Sequence, residues 1–240
     1  MRTTKLGAVL ASLALSAGTT AVLAAAPAHA ATAAATATKV ALDMSGHHQV
    51  KGVYGDYLGT LGGSVTFKQT DGSSATVTDG DAILQRRLPG RSWKGVKTDS
   101  DPSYLYFGTY GSHAHGNVKY RVHYLGGTGT GTDGSTYTWA PAFSNVVTVG
   151  TYWDLNDSGS CVGGCHLSGK LAPKAPHHKV TIQVKHGTWK RYKVVHTTSR
   201  SKYRAGVQAT RGKGTKYRIL VGGTKNLLQT KSIIYRAVRY

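Results

Sequence analysis

The sequence contains no glutamate: its ten acidic residues are all aspartates, against thirty lysines and arginines. It also has only two methionines, two cysteines and six prolines, whereas glycine, threonine, valine and tyrosine are abundant. Glutamate, leucine and methionine favour helices, while valine, threonine and tyrosine favour strands. The composition therefore disfavours a helical protein and predicts strands joined by turns.

Motifs of catalytic and phosphate-binding proteins are also missing. No serine lies in a Gly-x-Ser-x-Gly elbow, and the glycine run at 126–131 lacks the Lys-Ser/Thr of a phosphate-binding loop. Turn chemistry explains the two close aspartate pairs, Asp79 with Asp81 and Asp99 with Asp101. We therefore predict a protein that is not an enzyme and needs no cofactor. The alternative is a small wall- or sugar-hydrolysing enzyme that uses these aspartates.

The N-terminus has the pattern of a secretory signal peptide. Arg2 and Lys5 precede an apolar stretch that runs from Leu6 to Leu23, and Ala28-His29-Ala30 fits a cleavage site after Ala30. We expect residues 1–30 to be the signal peptide and residues 31–38 a flexible lead-in. With no second apolar span, sorting motif or lipid-bearing cysteine, we expect no transmembrane segment after cleavage. The protein is then secreted, extracellular or cell-wall associated.

The chain also contains an internal repeat at an offset near 97 residues. Matches that keep their order over this length indicate two copies of one structural unit. The paired landmarks are Leu84–Arg87 with Ile182–Lys185, Trp93 with Trp189, Tyr104 with Tyr203, and Lys119–Thr128 with Lys216–Thr224.

Each copy has the residue alternation of strands. Val180, Ile182 and Val184 alternate with polar residues, as do the apolar residues of 203–207 and 217–221. A period of two places these side chains on one face of a strand. Turn-rich segments separate the runs at short intervals, which predicts antiparallel sandwiches. We therefore expect an all-β fold of two tandem domains, residues 39–153 and 166–240, joined by a linker at 154–165.

The order of these landmarks resembles the immunoglobulin-like repeats of exported and cell-surface proteins from high-GC Gram-positive bacteria. The resemblance covers nearly all of the chain after residue 30. It implies two immunoglobulin-like β-sandwiches with spacer, adhesion or wall-associated roles, usually without catalysis. The first copy departs from the pattern through added residues at 112–116 and an extended Gly/Thr loop at 126–135. Any specific contact of the first domain is expected on these insertions.

The number and spacing of the cysteines and histidines favour a disulfide over a metal site. Cys161 and Cys165 are the only cysteines, and an even pair in an exported protein predicts a disulfide. Residues 154–159 imitate the start of a calcium loop, but Cys165 stands where a bidentate glutamate belongs. Histidines such as His113 and His115 lack carboxylates or cysteines at ligand spacing. We predict no metal site, although weak adventitious affinity of the histidines stays open.

The charge distribution gives the most specific functional prediction. Residues 31–165 hold ten basic and ten acidic residues, whereas residues 166–240 hold eighteen basic residues and no acidic one. Dense cations bind polyanions by releasing their counterions, independently of sequence. We expect the second domain, and not residues 31–160, to bind an anionic cell-wall polymer or another polyanion, with no specific nucleic acid. The predicted anion-binding residues are Lys170, Lys174, Lys179, Lys190, Arg191, Lys193, Arg200, Lys202, Arg204, Arg211 and Lys213.

Two other interpretations stay open. The lysines and arginines can serve solubility alone, in which case the protein is a structural spacer or adhesion module without a ligand of its own. Tyr104, Tyr106 and Tyr110 alternate partly on one face and form a candidate aromatic platform for sugars.

Overall fold

The computed structural model describes residues 35–108, 110 and 112–239. The predicted signal peptide, residues 1–30, and residues 31–34 of the predicted lead-in lie outside the described residues. The end of the lead-in is paired rather than free: Thr36 N–H donates to Thr138 O at 2.6 Å, and Thr36 O accepts the N–H of Ala140. The lead-in prediction is corrected there, because the backbone at Thr36 bridges to the strand that contains Trp139.

All of the regular secondary structure in the described residues is β-structure, as the composition predicts. No helix long and apolar enough to cross a membrane occurs in the described part of the chain. The strands are β1 (Thr38–Met44), β2 (Gln49–Val53), β3 (Leu61–Lys68), β4 (Ser74–Thr76), β5 (Ala82–Arg87), β6 (Lys94–Asp99), β7 (Leu105–Tyr106), β8 (Val118–Tyr124), β9 (Gly127–Thr130), β10 (Thr136–Trp139), β11 (Ala142–Phe143), β12 (Val147–Tyr152), β13 (Asp157–Ser160), β14 (His166–Lys170), β15 (Lys179–His186), β16 (Thr188–His196), β17 (Lys202–Gly206), β18 (Thr210–Arg211), β19 (Thr215–Val221), β20 (Thr230–Lys231) and β21 (Tyr235–Arg239).

The first β-region, which we define as residues 38–152, has two main sheets. One has the strand order β1–β3–β4, with β7 also paired to β3. The other, the first large sheet, has the order β2–β12–β8–β5–β6, with β11 also paired to β8. Strands β9 and β10 form a separate hairpin.

The second β-region, which we define as residues 157–239, has a similar arrangement with fewer strands. Its smaller sheet has the order β13–β14–β17, and the second large sheet has the order β16–β15–β19–β21–β18, with β20 also paired to β19. The pairs β2–β12 and β18–β21 are parallel. The expectation of purely antiparallel sheets is corrected at these two pairs. Alternation identifies a strand and its inward face, but not the direction of a partner that is distant in sequence.

Each β-region has its own hydrophobic cluster, to which both of its main sheets contribute. The first cluster includes Leu42 and Val65 from one sheet and Val122 from the other. The second includes Leu167 from one sheet and Ile219 from the other. The alternation predicted for β15 and β19 is confirmed, since every second side chain is buried. Full burial of one such aliphatic side chain contributes about 1.5–3 kcal/mol.

The two copies of the sequence repeat form the same strand pairing. β5 pairs with β8 so that Leu84 lies opposite Val122, and β15 pairs with β19 so that Ile182 lies opposite Ile219. The ladder between β5 and β6 shifts register after Leu84, and the ladder between β15 and β16 shifts after Ile182. The repeat therefore extends from sequence to register and to the position of an irregularity.

Four residues of the predicted linker at 154–165 form a strand. Residues Asp157–Ser160 form β13, which pairs antiparallel with β14. Trp153 and Leu155 belong to the second hydrophobic cluster. The linker prediction is corrected here, because β13 has no buried side chain to create an apolar alternation. Backbone hydrogen bonds to β14 hold the strand instead.

Both insertions of the first copy complete the fold of the first β-region. Ala114 is fully buried, and its carbonyl accepts the N–H of Gly55 at 2.8 Å. The second insertion forms β9 and the turn that leads into β10, which places Tyr137 and Trp139 in the first hydrophobic cluster. These residues therefore have structural roles in packing and backbone bonding.

Asn117, which directly follows the first insertion, connects the two β-regions. Its N–H donates to Asn226 O at 2.7 Å, and its side-chain amide donates to Lys225 O at 3.3 Å. Its side-chain oxygen accepts the N–H of Thr151 at 3.0 Å. Leu228 N–H then donates to Thr151 O at 2.7 Å. The loop that precedes β20 is thereby bonded to the ends of β8 and β12.

Candidate functional site

Both β-regions carry the same outward-facing cluster of glutamine, arginine and tryptophan, which we call the Gln–Arg–Trp cluster. In the first, Arg121 Nε donates to Gln85 Oε1 at 2.8 Å, and the guanidinium lies 4.4 Å from the Trp93 ring centre. In the second, Arg218 Nε donates to Gln183 Oε1 at 2.7 Å, and the guanidinium lies 4.2 Å from the Trp189 ring centre. Strand register places each glutamine opposite its arginine. Both arginines make cation–π contacts.

The surroundings of the two clusters differ. Arg121 also lies 4.1 Å from the Phe143 ring centre, and Arg87 lies 4.7 Å from that of Trp93. Burial lowers the pKa of the Arg121 guanidinium, and the nearby charge of Arg87 lowers it further. In the second β-region, β19 corresponds to β8. Lys231 on β20 lies opposite Leu220 on β19. Two aromatic rings therefore contact Arg121, whereas in the second β-region Lys231 occupies the strand position that corresponds to Phe143.

All eleven predicted anion-binding residues are exposed. The only carboxylate side chain in the second β-region is Asp157, and it accepts a hydrogen bond from the Tyr235 hydroxyl at 2.7 Å. Residues 166–240 supply no acidic partner of their own. The positive charges therefore face solvent without local neutralisation, although the fold does not gather all eleven in one place.

One group of predicted residues lines a groove on the outer face of the smaller sheet. Lys170 lies opposite Lys202, and Arg204 lies opposite Ser168. These cations line a groove of about 710 Å³, together with His166, whose Nδ1 is 3.3 Å from Arg204 Nη2. Three cations in one open groove suit the phosphate or carboxylate groups of an extended polymer.

A second cavity, of about 430 Å³, contains one predicted residue, Lys213. Three further basic residues line it that the sequence prediction missed, Lys185, Lys216 and Arg236. The signal for two of them was present, because the alternation that turns Val184 and Tyr217 inward turns their neighbours Lys185 and Lys216 outward.

The remaining predicted residues do not converge on either cavity. Lys190, Arg191 and Lys193 follow one another along β16, the outermost strand of the second large sheet. Arg211 lies on β18 opposite Arg239. The residues at other places on the surface are Lys174, Lys179 and Arg200.

The predicted disulfide between Cys161 and Cys165 is confirmed. It closes the turn between β13 and β14, directly beyond the paired residues Ser160 and His166. Val162, at the tip of this turn, is 87% exposed. The bond therefore closes the hairpin whose first strand lies in the predicted linker.

The side chains of Asp99 and Asp101, two of the four aspartates considered for catalysis, accept backbone N–H groups. Asp99 Oδ2 accepts the N–H of Tyr106 at 2.9 Å, and Asp101 Oδ1 accepts the N–H of Ser103 at 3.1 Å. Asp79 O accepts the hydroxyl of Tyr124 at 2.6 Å. Within residues 35–108, 110 and 112–239, no group of three or more His, Cys, Asp or Glu side chains could hold a metal ion.

The candidate tyrosine platform is exposed but dispersed. Tyr104 and Tyr106 are 70% and 51% exposed, and Tyr110 is 39% exposed. None of the three rings contacts another aromatic ring among the described residues. Their exposure is compatible with stacking on a sugar, but no shared surface is formed by ring contacts.

Comparison with known proteins gives only distant structural likenesses. No protein-family model and no curated protein matches the sequence. One similar solved structure is a tetra-tandem repeat in the extending region of a large adhesion protein, with 13% identity and a TM-score of 0.39 over 84% of this chain and 50% of that chain. Another is from a study of host cell surface retention of a 1.5-MDa bacterial ice-binding adhesin, with 12% identity and a TM-score of 0.25 over 85% of this chain and 65% of that chain. The chain thus spans about half the length of the first structure and about two thirds of the second, and neither likeness assigns a family or a function to it.

Proposed function

We propose that the protein is an exported, non-enzymatic protein of two immunoglobulin-like β-sandwiches, and that its second β-region binds anionic cell-wall polymers. The observation that carries this proposal is the exposure of all eleven predicted cations in a β-region whose only carboxylate is already hydrogen-bonded. The binding needs no single pocket. Each Lys or Arg that approaches a polymer phosphate releases a counterion, and these contributions add over the surface.

The immunoglobulin-like assignment rests on strand order and on the repeat. In each β-region, a small sheet and a five-strand path contribute to one hydrophobic cluster. The central pairs β5–β8 and β15–β19 have the same register. Two sheets over a shared core, with inward and outward residues alternating along the central strands, are the features of such sandwiches.

Export is supported by the signal-like sequence at 1–30 and by the disulfide. Disulfides persist in oxidising compartments and are rare in the cytosol. Outside the cell, a Gram-positive wall presents phosphate-rich polymers, to which a polycationic surface is attracted. The β-sandwiches then supply a rigid support for that surface, and its positive charge retains the protein at the wall.

Titration of the secreted chain with long-chain inorganic polyphosphate at rising salt tests this proposal. We expect the logarithm of affinity to fall linearly with the logarithm of salt concentration. The triple variant Lys170→Glu/Lys202→Glu/Arg204→Glu should weaken binding strongly and make the salt dependence shallower, because it removes the three cations of the 710 Å³ groove.

The matched control is Lys39→Glu/Lys68→Glu/Lys94→Glu, which reverses three exposed lysines of the first β-region and changes the net charge equally. This control should lose much less affinity. Equal losses in the two triple variants would assign binding to net charge alone. An absence of binding by the unmodified chain would leave a spacer without a ligand as the function.

A further inference from the structure

We propose that a cavity on the first β-region binds an organic anion with an apolar body, such as an aromatic or aliphatic carboxylate or sulfonate. The cavity has a volume of about 580 Å³ and lies beside β2, β8 and β12, between the turn at 88–91 and Leu228 of the second β-region. Small-molecule sites typically have volumes of about 300–1,000 Å³. The inference is independent of polymer binding, because the cavity belongs mainly to the first β-region, whose basic residues are nearly balanced by aspartates.

Basic side chains alone supply charge to this cavity. Lys51, Arg87, Arg91 and Lys119 line it, and no carboxylate does, although the first β-region contains eight aspartates. Lys119 lies directly opposite Arg87 on the neighbouring strand, so the two side chains leave the same face of the sheet. Four cations without a carboxylate partner favour an anionic group in the space between them.

The rest of the lining is largely apolar. Leu88 and Pro89 form one side, and Leu228 forms the other. Gly150 makes room for Leu228, since a Cβ atom at Gly150 would lie 2.8 Å from Leu228 Cδ1 and 3.3 Å from Lys51 Cγ. The missing side chain therefore lets an apolar residue of the second β-region reach the sheet of the first.

Backbone hydrogen bonds fix both sides of the cavity. Leu228 N–H donates to Thr151 O at 2.7 Å. On the other side, Arg91 N–H donates to Leu88 O at 3.0 Å, and Gly90 between them has a positive φ of 72°. A preformed site loses little free energy to ordering when a ligand enters.

The four cations and the apolar lining together determine which class of ligand the cavity can bind. An inorganic phosphate would meet the cations but leave the apolar surface exposed to water, and a neutral hydrocarbon would cover that surface but leave the cations unpaired. An anion with an apolar body satisfies both. Charge-assisted hydrogen bonds are stronger than neutral ones, so the head group determines affinity as much as the body does.

A fluorescence titration of the secreted chain with 8-anilinonaphthalene-1-sulfonate, an apolar sulfonate, tests the inference. We expect saturable binding at one site, with affinity about tenfold or more lower in Arg91→Gln/Lys119→Gln. The matched control Lys39→Gln/Lys94→Gln, which changes two exposed lysines away from the cavity, should bind as the unmodified chain does. If the first double variant fails to fold by circular dichroism, Lys51→Gln alone should still weaken binding several-fold.

Two competition measurements distinguish this site from the polymer surface. Inorganic phosphate at the same concentration as the probe should not displace it, because phosphate makes no apolar contact, and N-phenyl-1-naphthylamine, which lacks the sulfonate, should bind about tenfold more weakly. Displacement by phosphate, equal binding of the neutral amine, equal losses in both double variants, or no saturable binding would each overturn the inference. None of these outcomes bears on polyphosphate binding by the second β-region, so failure of one proposal is distinguishable from failure of the other.

Discussion

The two β-regions share their framework and differ in their surface. Both pair their central strands in the same register, and both place a glutamine, an arginine and a tryptophan in one outward-facing cluster. Eight aspartates accompany ten basic residues in the first, whereas one accompanies eighteen in residues 157–240. The excess charge is therefore not a requirement of this fold, because the first β-region forms the same pairing without it.

The largest expected effect comes from the shared core. Ile219 and Val122 occupy corresponding positions, and both are fully buried. Ile219→Ala should lower the free energy of unfolding by about 2–5 kcal/mol, and Val122→Ala by less, because it removes less apolar volume. Urea denaturation followed by tryptophan fluorescence measures both. A loss below about 1 kcal/mol for Ile219→Ala would mean that the second cluster collapses around the change.

High pH should destabilise both β-regions through buried tyrosines. Burial, and then the charge of Asp79, raises the pKa of Tyr124 to about 12. Burial also raises the pKa values of Tyr203 and Tyr235, and Asp157 raises both further. Unfolded tyrosine has a pKa of about 10. At a pH above this value, the folded state therefore still holds hydroxyl protons that the unfolded state has released.

The contribution of these tyrosines is fully present below about pH 10 and is lost as pH rises through the folded-state pKa values. We expect the melting temperature to fall steeply above about pH 10, with less decline in Tyr235→Phe. That variant removes a titrating hydroxyl together with its hydrogen bond to Asp157. A melting temperature that is unchanged between about pH 9 and 11 would contradict the expectation.

Removal of the disulfide should lower the stability of the second β-region alone, and by less than the core substitution does. Cys161→Ser/Cys165→Ser opens a small loop in the second β-region, for which chain entropy predicts a loss of about 2 kcal/mol. The first β-region should be unaffected. Calorimetry with and without a reductant measures the change in the unmodified chain, and the double serine variant, which should not respond to reductant, is the control.

The smallest expected effect is the difference between the two Gln–Arg–Trp clusters. A double-mutant cycle between Arg218 and Trp189, each changed to Ala, should give a coupling of about 0.5–1 kcal/mol. The cycle between Arg121 and Trp93 should give a different value, because Arg121 also contacts Phe143. Equal couplings in the two cycles would show that the additional ring has no influence on the pair.

The sequence predicts the strands with buried alternate residues, since burial leaves a pattern of period two. It predicts the disulfide because only two cysteines exist. It does not reveal β13, which has no buried side chain, or the parallel partners of β12 and β21, which are distant along the chain. The sequence does not reveal the 580 Å³ cavity either, because its lining residues, such as Gly150 and Leu228, are distant along the chain.

The outermost strands have a consequence for the behaviour of the protein at high concentration. Within the described residues, β6 and β16 each lie at the end of a large sheet, where no further strand pairs with their outer backbone N–H and C=O groups. Such edges can recruit another chain and begin aggregation, and lysines along the edge oppose this. Lys94 and Lys97 lie on β6, and Lys190, Arg191 and Lys193 lie on β16. Because the like charges on corresponding edges of two molecules repel each other, these residues oppose lateral joining of the sheets.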